Sequence, residues 1–449
     1  MDENTTQKLP KGVVFGYALP RFGAAIIFLS VVIYLPKFCT DTLMLAPALI
    51  GWMFLLGRVW DGITDPAMGV ISDRTRLKMG RRRPYFLLSA IPIGICYYLL
   101  WTPPVGLADG SLFLYLTFFY LATYTFFTMF SIPYESLVAE LSTDYNERTV
   151  LTGVREGLGL LGALVATLAP PVVNRFLLDE RLSYSYVAAV TGVVTAVLIL
   201  ICFFKVKENP NYQRQISTTG LEGFWLIFKN RPFRILITVL MLALVGSAFV
   251  PILTLYVGDY LIKAPKIAPV VIIAYLLSAA FSIAIWTRIS RRIGKKETLF
   301  FSLVLSAVVF TITIYYHEGT HILWVIMGLL AGSGYGCILA LAPSMIADVI
   351  DFDELESGDR REGIYFGVWL FVQKASMGIT TFVGMQVLAS MGYVPNVEQS
   401  IEVLWSIKFL YCILPAICFA VGAVVLRRFP IDQNEYQRIR SLIDGQEVV

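Results

Sequence analysis

Charge is what this sequence has least of. Charged side chains make up 15% of its 449 residues, where a soluble domain of this size carries roughly a quarter. The shortage is patterned: charges gather in short runs, and the stretches between them stay apolar for about 20 residues, the length that spans a bilayer core of roughly 30 Å. Paired cysteines are also missing. Cys39, Cys96, Cys202, Cys337, Cys412 and Cys418 form no CxxC, and all but Cys39 sit in hydrophobic segments, so they read as small buried hydrophobes and exclude a disulfide framework. The charge runs lack the aromatics and repeats that nucleic-acid binding would need. No nucleophile–base arrangement, metal cluster or large soluble domain is apparent, which argues against an enzyme and against a receptor.

What the chain does have is apolar spans, expected at 13–36, 44–71, 84–104, 111–140, 149–170, 184–205, 232–258, 268–289, 298–316, 322–348, 364–391 and 403–426. Pro20, Pro66, Pro133, Pro251 and Pro343 fall inside spans, where neighbouring helices can satisfy the carbonyls that proline frees. Lys and Arg set the orientation. The connection between spans 2 and 3 holds six of them from Arg74 to Arg83, and the 8–9 connection holds Arg291, Arg292, Lys295 and Lys296; the 3–4 and 9–10 connections, PPVGLADG and YHEGTH, hold none. Basic connections and both termini are therefore expected on the cytoplasmic side. The longest polar stretch divides the chain into a bundle at 1–205, a central loop at 206–231, a second bundle at 232–426 and a tail at 427–449. Each half has a basic 2–3 connection and an acidic turn before an Arg-Glu-Gly triplet opening its fifth span: Arg155-Glu156-Gly157 and Arg361-Glu362-Gly363. The fold class expected is all-α, twelve transmembrane helices in two pseudo-symmetric six-helix bundles with a site between them, the transporter pattern.

An ionised side chain at the bilayer centre costs about 2.5–3.5 kcal/mol on insertion scales, so ionisable residues within spans carry the most information. Span 2 reads LLGRVWDGITDPAMGVISDR and puts Arg58, Asp61 and Asp65 on one helical face. Two carboxylates one turn apart can hold Na⁺ through oxygen ligands or a proton in a low-dielectric site. The competing reading is an internal ion pair, although one arginine cannot neutralise both acids. In span 4, Tyr124, Thr128, Ser131 and Glu135 share a face; Thr128 and Ser131 offer hydroxyl oxygens, or else bond back to their own helix. Glu135 lies near the cytoplasmic end, as a gate or a structural pair. Arg21 in span 1, Arg155 and Lys374 are the cationic candidates for an anionic or hydroxyl-rich substrate, or the charge balance for the acids. Tyr365, Trp369 and Gln373 line one face of span 11, for stacking on a sugar ring or for packing.

Asp73 and the arginines of GVISDRTRLKMGRRRP can pair with acids at neighbouring helix ends and latch one conformation; they also serve as the positive-inside signal. HEGTH at His317–His321 matches a zinc-protease pattern, but a glycine interrupts it, it lies in a short turn, and the chain has no other histidine. GSGYG at 332–336 lies within span 10; Gly328, Gly332 and Gly336 read as a close helix–helix contact.

RVWDGITDPAMGVISDR, the GRRRP after it, IPYESLVAEL with DYNER, and GDRREGIYFG with Lys374 resemble the glycoside–pentoside–hexuronide:cation symporters, the melibiose permease group of the major facilitator superfamily. The chain also resembles the animal sodium-dependent lysophospholipid carriers. The resemblance runs over nearly the whole length and implies symport of Na⁺, H⁺ or Li⁺ with a sugar or sugar-acid-like solute by alternating access, or of a lysophospholipid on the same fold. Carried over, Asp61 and Asp65 are the cation carboxylates and Thr128 a neighbouring oxygen ligand, and Arg155 and Lys374 match charged positions near the sugar and cation sites. The residues themselves add Ser131 to the cation set, Arg21, Tyr124, Trp369 and Gln373 to the substrate set, and Arg58, Asp73, Glu135 and Arg361 as gates. The family has an acid where this chain has Arg21, an Asp at Ser131 and a Trp at Glu135. Those departures point away from a neutral galactoside and toward an acidic substrate such as a uronide, a sulfonated sugar or a lipid phosphate. The remaining expectations are a multi-pass monomer of a cell membrane, of bacterial inner-membrane type, with membrane lipid around it, no cofactor beyond the coupling ion and no nucleic-acid partner.

Overall fold

The computed structural model describes residues 9–141, 145–208, 227–357 and 362–443. Its principal helices are α1 (Lys11–Ile33), α2 (Pro47–Arg74), α3 (Arg83–Trp101), α4 (Asp109–Leu141), α5 (Tyr145–Leu177) and α6 (Glu180–Lys205), then α7 (Arg231–Tyr256), α8 (Ala268–Ile293), α9 (Lys295–Ile312), α10 (His321–Ser357), α11 (Glu362–Ser390), α12 (Ile401–Leu426, with a π turn at Phe409–Ile413) and α13 (Gln433–Ile443). No strand occurs among the described residues.

Among the described residues, eleven helices, α1 and α3 to α12, are long and apolar enough to cross a membrane. The other expected span, α2, is a helix of 28 residues, about 42 Å at 1.5 Å per residue, but it carries Arg58, Asp61, Asp65, Asp73 and Arg74. Its length fits a bilayer; what sets it apart is three charges, Arg58, Asp61 and Asp65, on one face of its middle turns.

The chain separates into two compact units, Met1–Thr218 and Thr219–Val449. In the first, α1 packs on α5 and α6, α3 on α4 and α6, and α2 on α4. In the second, α7 packs on α11 and α12, α9 on α10 and α12, and α8 on α10. The second set is the first shifted by six helices, which is the internal repeat read from the sequence, expressed as pairing. The repeat reaches local backbone too: α1 and α7 are each followed by a π turn, Phe38–Thr42 and Val257–Leu261, and then by a left-handed non-glycine residue, Met44 or Lys263.

Several helices run past their expected ends. α5 continues through Pro170 and Pro171 to Leu177 instead of stopping at 170. Pro171 cannot donate to the carbonyl of Thr167, and the Tyr34 hydroxyl of the short segment after α1 donates to it instead, at 2.5 Å. α5 also starts at Tyr145, so Arg155 lies ten residues inside it and does not open it. α10 carries on through the acidic DVIDFDELES, which the sequence reading makes a turn, to Ser357; Lys295 neutralises Asp348 there at 2.6 Å, and the Tyr436 ring of α13 covers the ammonium. The residues expected as a plain tail thus include a helix. Arg361 lies outside the described residues.

Gly332 and Gly336 of α10 press against the backbone of α8: a Cβ at either would lie 2.1 Å from the carbonyl oxygen of Tyr275 or 2.3 Å from that of Ala279. Only hydrogen fits there, so this stretch is helix-packing surface.

Candidate functional site

Two charged clusters lie within the first unit. The deeper one is built on α2. Arg58 is eleven residues from the start of its helix at Pro47, and Asp61 is thirteen from its end at Arg74, about 16 and 20 Å respectively. Arg58 donates from Nη1 to Asp61 Oδ2 at 2.8 Å and from Nη2 to the Tyr120 hydroxyl at 3.0 Å, and its guanidinium lies 4.7 Å over the Tyr124 ring. Side-chain exposure is 7% for Arg58 and 2% for Asp61. Gly57 makes the arrangement possible, because a Cβ there would fall 2.2 Å from Tyr120 Cε1. The Arg58 Nε and Tyr124 hydroxyl groups are buried with no hydrogen-bond partner among the described residues.

One turn further along α2, Asp65 is half-buried and accepts a hydrogen bond from Thr128 of α4 at 2.7 Å. Thr128 is thus turned toward Asp65, where the sequence left open a bond to its own helix. Ser131, one turn beyond on α4, is half-buried. Arg58, Asp61 and Asp65 together carry one formal negative charge, with hydroxyl oxygen alongside. Carboxylate and hydroxyl oxygens are the donor set of hard cations, and a carboxylate in such surroundings also takes up a proton.

The second cluster joins α1, α4 and α5. Glu156 accepts from Arg21 Nη2 at 3.1 Å through one oxygen and from Arg155 Nη2 at 2.7 Å and Nε at 2.9 Å through the other. Arg21 Nη1 also stands 4.0 Å from Glu135. Tyr17 and Tyr134 form the floor. Their rings stack at 4.8 Å, each hydroxyl donates to the other's backbone carbonyl, at 3.2 and 2.8 Å, and both are buried.

Of the other expected residues, Tyr124 belongs to the Arg58 cluster and stands apart from Arg21 and Arg155. Trp369, buried, and Gln373 and Lys374, half-buried, lie on α11 in the second unit. Tyr365, read beside them, is packed: its hydroxyl accepts from Asn230, which caps α7, and its ring meets Phe233 edge-on. Asp73 lies within α2 and meets Arg82 at 3.4 Å. The basic connection is held mainly by an acid that the sequence reading did not single out. Glu208, just beyond α6, accepts the backbone N–H groups of Arg81, Arg82 and Arg83 at 2.8, 2.9 and 2.7 Å, and Arg83 donates to the Phe203 carbonyl. His317 stands in the turn before α10 and His321 opens that helix, so they do not share a helical face. No group of three His, Cys, Asp or Glu residues is placed to hold a metal ion among the described residues.

Three partners escaped the sequence reading. Tyr120 sits one turn from Tyr124 on the same face, so the spacing could have found it. Glu156 was visible in its Arg-Glu-Gly triplet, but nothing in the triplet says that its carboxylate reaches α1. Glu208 left no signal beyond its place at the end of a span.

Membrane-crossing helices, a six-helix pairing used twice and ionised side chains deep within a bundle define a membrane transporter of the major facilitator type. The chain belongs to the MFS/sugar transport protein family, whose family model matches residues 16–433. It is similar to the isoprimeverose transporter of Lactiplantibacillus pentosus, at 28% identity over 95% of this chain and 90% of that one. It is also similar to the sodium-dependent lysophosphatidylcholine symporter 1-A of Danio rerio, at 26% over 92% of this chain and 85% of the other. Among solved structures, an alanine variant of the nucleoside transporter NupG matches with a TM-score of 0.71 at 14% identity, covering 93% of this chain and 99% of that one. That last likeness carries the fold alone.

Proposed function

We propose that the protein is a secondary active symporter that couples entry of Na⁺ or H⁺ to uptake of a sugar or sugar-acid-like solute by alternating access. One observation carries the reading: midway along α2, Asp61 and Asp65 stand one turn apart, the first paired with Arg58 and the second holding the Thr128 hydroxyl. The coupling ion is held by the carboxylates of Asp61 and Asp65, with Thr128 rotating its hydroxyl from donor to ligand and Ser131 adjacent. Relatives whose names describe an isoprimeverose transporter and a sodium-dependent symporter support both halves of the reading. Linkage then requires reciprocity: the solute tightens cation binding by the factor by which the cation tightens solute binding.

The test is uphill uptake in proteoliposomes under an imposed Na⁺ or pH gradient. Wild-type protein accumulates solute under one of the two. Asp65→Asn equilibrates solute without accumulating it. Equal accumulation by the variant removes the ion from Asp65. A panel of sugars, sugar acids and lysophospholipids, each with and without Na⁺, separates a sugar-type solute from a lysolipid.

A further inference from the structure

Arg21 and Arg155, read from sequence as substrate contacts or as charge balance for the acids of the spans, are balanced by an acid outside that reading. Both guanidiniums are engaged by the one carboxylate of Glu156, and Glu135 stands 4.0 Å from Arg21 on the other side. Two arginines and two glutamates sum to a formal charge of zero. Arg21 and Arg155 each lie ten residues inside α1 and α5, about 15 Å from the helix starts, so this is no surface patch at a helix end. Side-chain exposure there is 34% for Arg21, 15% for Arg155, 45% for Glu135 and 49% for Glu156. Charges inside a span cost about 2.5–3.5 kcal/mol each at the bilayer centre, so the exposed edges of Arg21, Arg155 and Glu156 face a polar interior, with Glu135 six residues from the end of α4 beside them.

We propose that Glu156 sets the charge specificity of transport: by bridging Arg21 and Arg155 it selects an uncharged polyhydroxylated ring over the corresponding acid. The inference rests on the sugar-type symporter reading above. Guanidinium N–H groups only donate and carboxylate oxygens only accept, and here they alternate across α1, α4 and α5. A sugar hydroxyl does both, so adjacent hydroxyls can add to the array without breaking the bridge. A carboxylate solute can reach the guanidinium N–H groups that Glu156 leaves free, but it meets two like charges there and finds both arginines already compensated. The Tyr17–Tyr134 pair, buried and doubly hydrogen-bonded, sets Tyr17 beside Arg155. Glu156→Gln removes one negative charge and leaves the arginines in excess, so it should admit the acid.

The experiment measures binding of matched pairs, methyl glucoside and methyl galactoside against their uronates, to the purified full-length protein. Wild type is expected to bind a neutral member at least about tenfold tighter than its uronate, the scale of one charged hydrogen bond. Glu156→Gln is expected to shrink that ratio by about tenfold or invert it, while Glu156→Asp keeps the wild-type order. A wild-type preference for the uronate overturns the proposal even if no variant folds, and so does an unchanged ratio in Glu156→Gln. If neither member of any pair binds, the proposal and the sugar reading fall together. If binding follows the expected order but uptake ignores ion gradients, only the coupling reading falls.

Discussion

Arg58 and Arg155 each meet a carboxylate at nearly the same distance, 2.8 and 2.7 Å, inside the same unit, yet in opposite surroundings. The Arg58–Asp61 pair is shut between α2 and α4, with Tyr120 and Tyr124 closing over the guanidinium. The Arg155–Glu156–Arg21 bridge is open along one side, with Glu156 about half exposed. Burial changes what an ion pair does. A closed pair is costly to assemble and more costly to break from one side, because the remaining charge stays desolvated. An open pair contributes little to stability and remains available to a ligand. The first therefore fixes the geometry beside Asp65, and the second is open to a ligand, as the proposed charge selection requires.

The sharpest way to break this contrast is to remove one arginine from each cluster. Arg58→Met leaves Asp61 buried without its guanidinium and is expected to destabilise the protein by about 3–5 kcal/mol, read as loss of folded material or a large fall in Tm. Similar melting curves for Arg58→Met and wild type would erase the distinction. Tyr120→Phe should cost less, about 1.5–3 kcal/mol, because Arg58 loses a hydrogen bond in a buried setting and keeps its ion pair. Arg21→Gln sits at the bottom of the scale, at about 0–1 kcal/mol. Salt sharpens the comparison further. Raising choline chloride from about 0.05 to 0.5 M screens exposed charges and should shrink the already small Tm difference between Arg21→Gln and wild type, leaving that of Arg58→Met in place.

Much of the fold was legible because bilayer thickness imposes one length on every span, and the internal repeat could be read from charge placement. Helix ends were less legible where a local signal was overruled by a distant partner. Pro170 and Pro171 look like a stop until Tyr34 supplies the hydrogen bond that Pro171 withholds, and the acidic run from Asp348 looks like a turn until Lys295 arrives from α9 to pair with Asp348 itself. The α2 face of Arg58, Asp61 and Asp65 needed only helical periodicity. Arg21 shows where such reading stops. Its identity is visible in the chain, but its charge is balanced by Glu156, 135 residues away, and no spacing rule connects them. The expectation of an acidic substrate came from departures from the family pattern, Arg21 above all, and that comparison does not show that Glu156 engages the same guanidinium.

Ion flux and solute flux measured in the same vesicles test the central assignment most directly. With ²²Na⁺ and a proton-sensitive dye followed during solute influx, wild-type protein should bring in one of the two ions with the solute, and Asp65→Asn should move solute down its gradient with neither. The same ion flux per solute in both proteins would mean that the carboxylates of α2 do not carry the coupling ion.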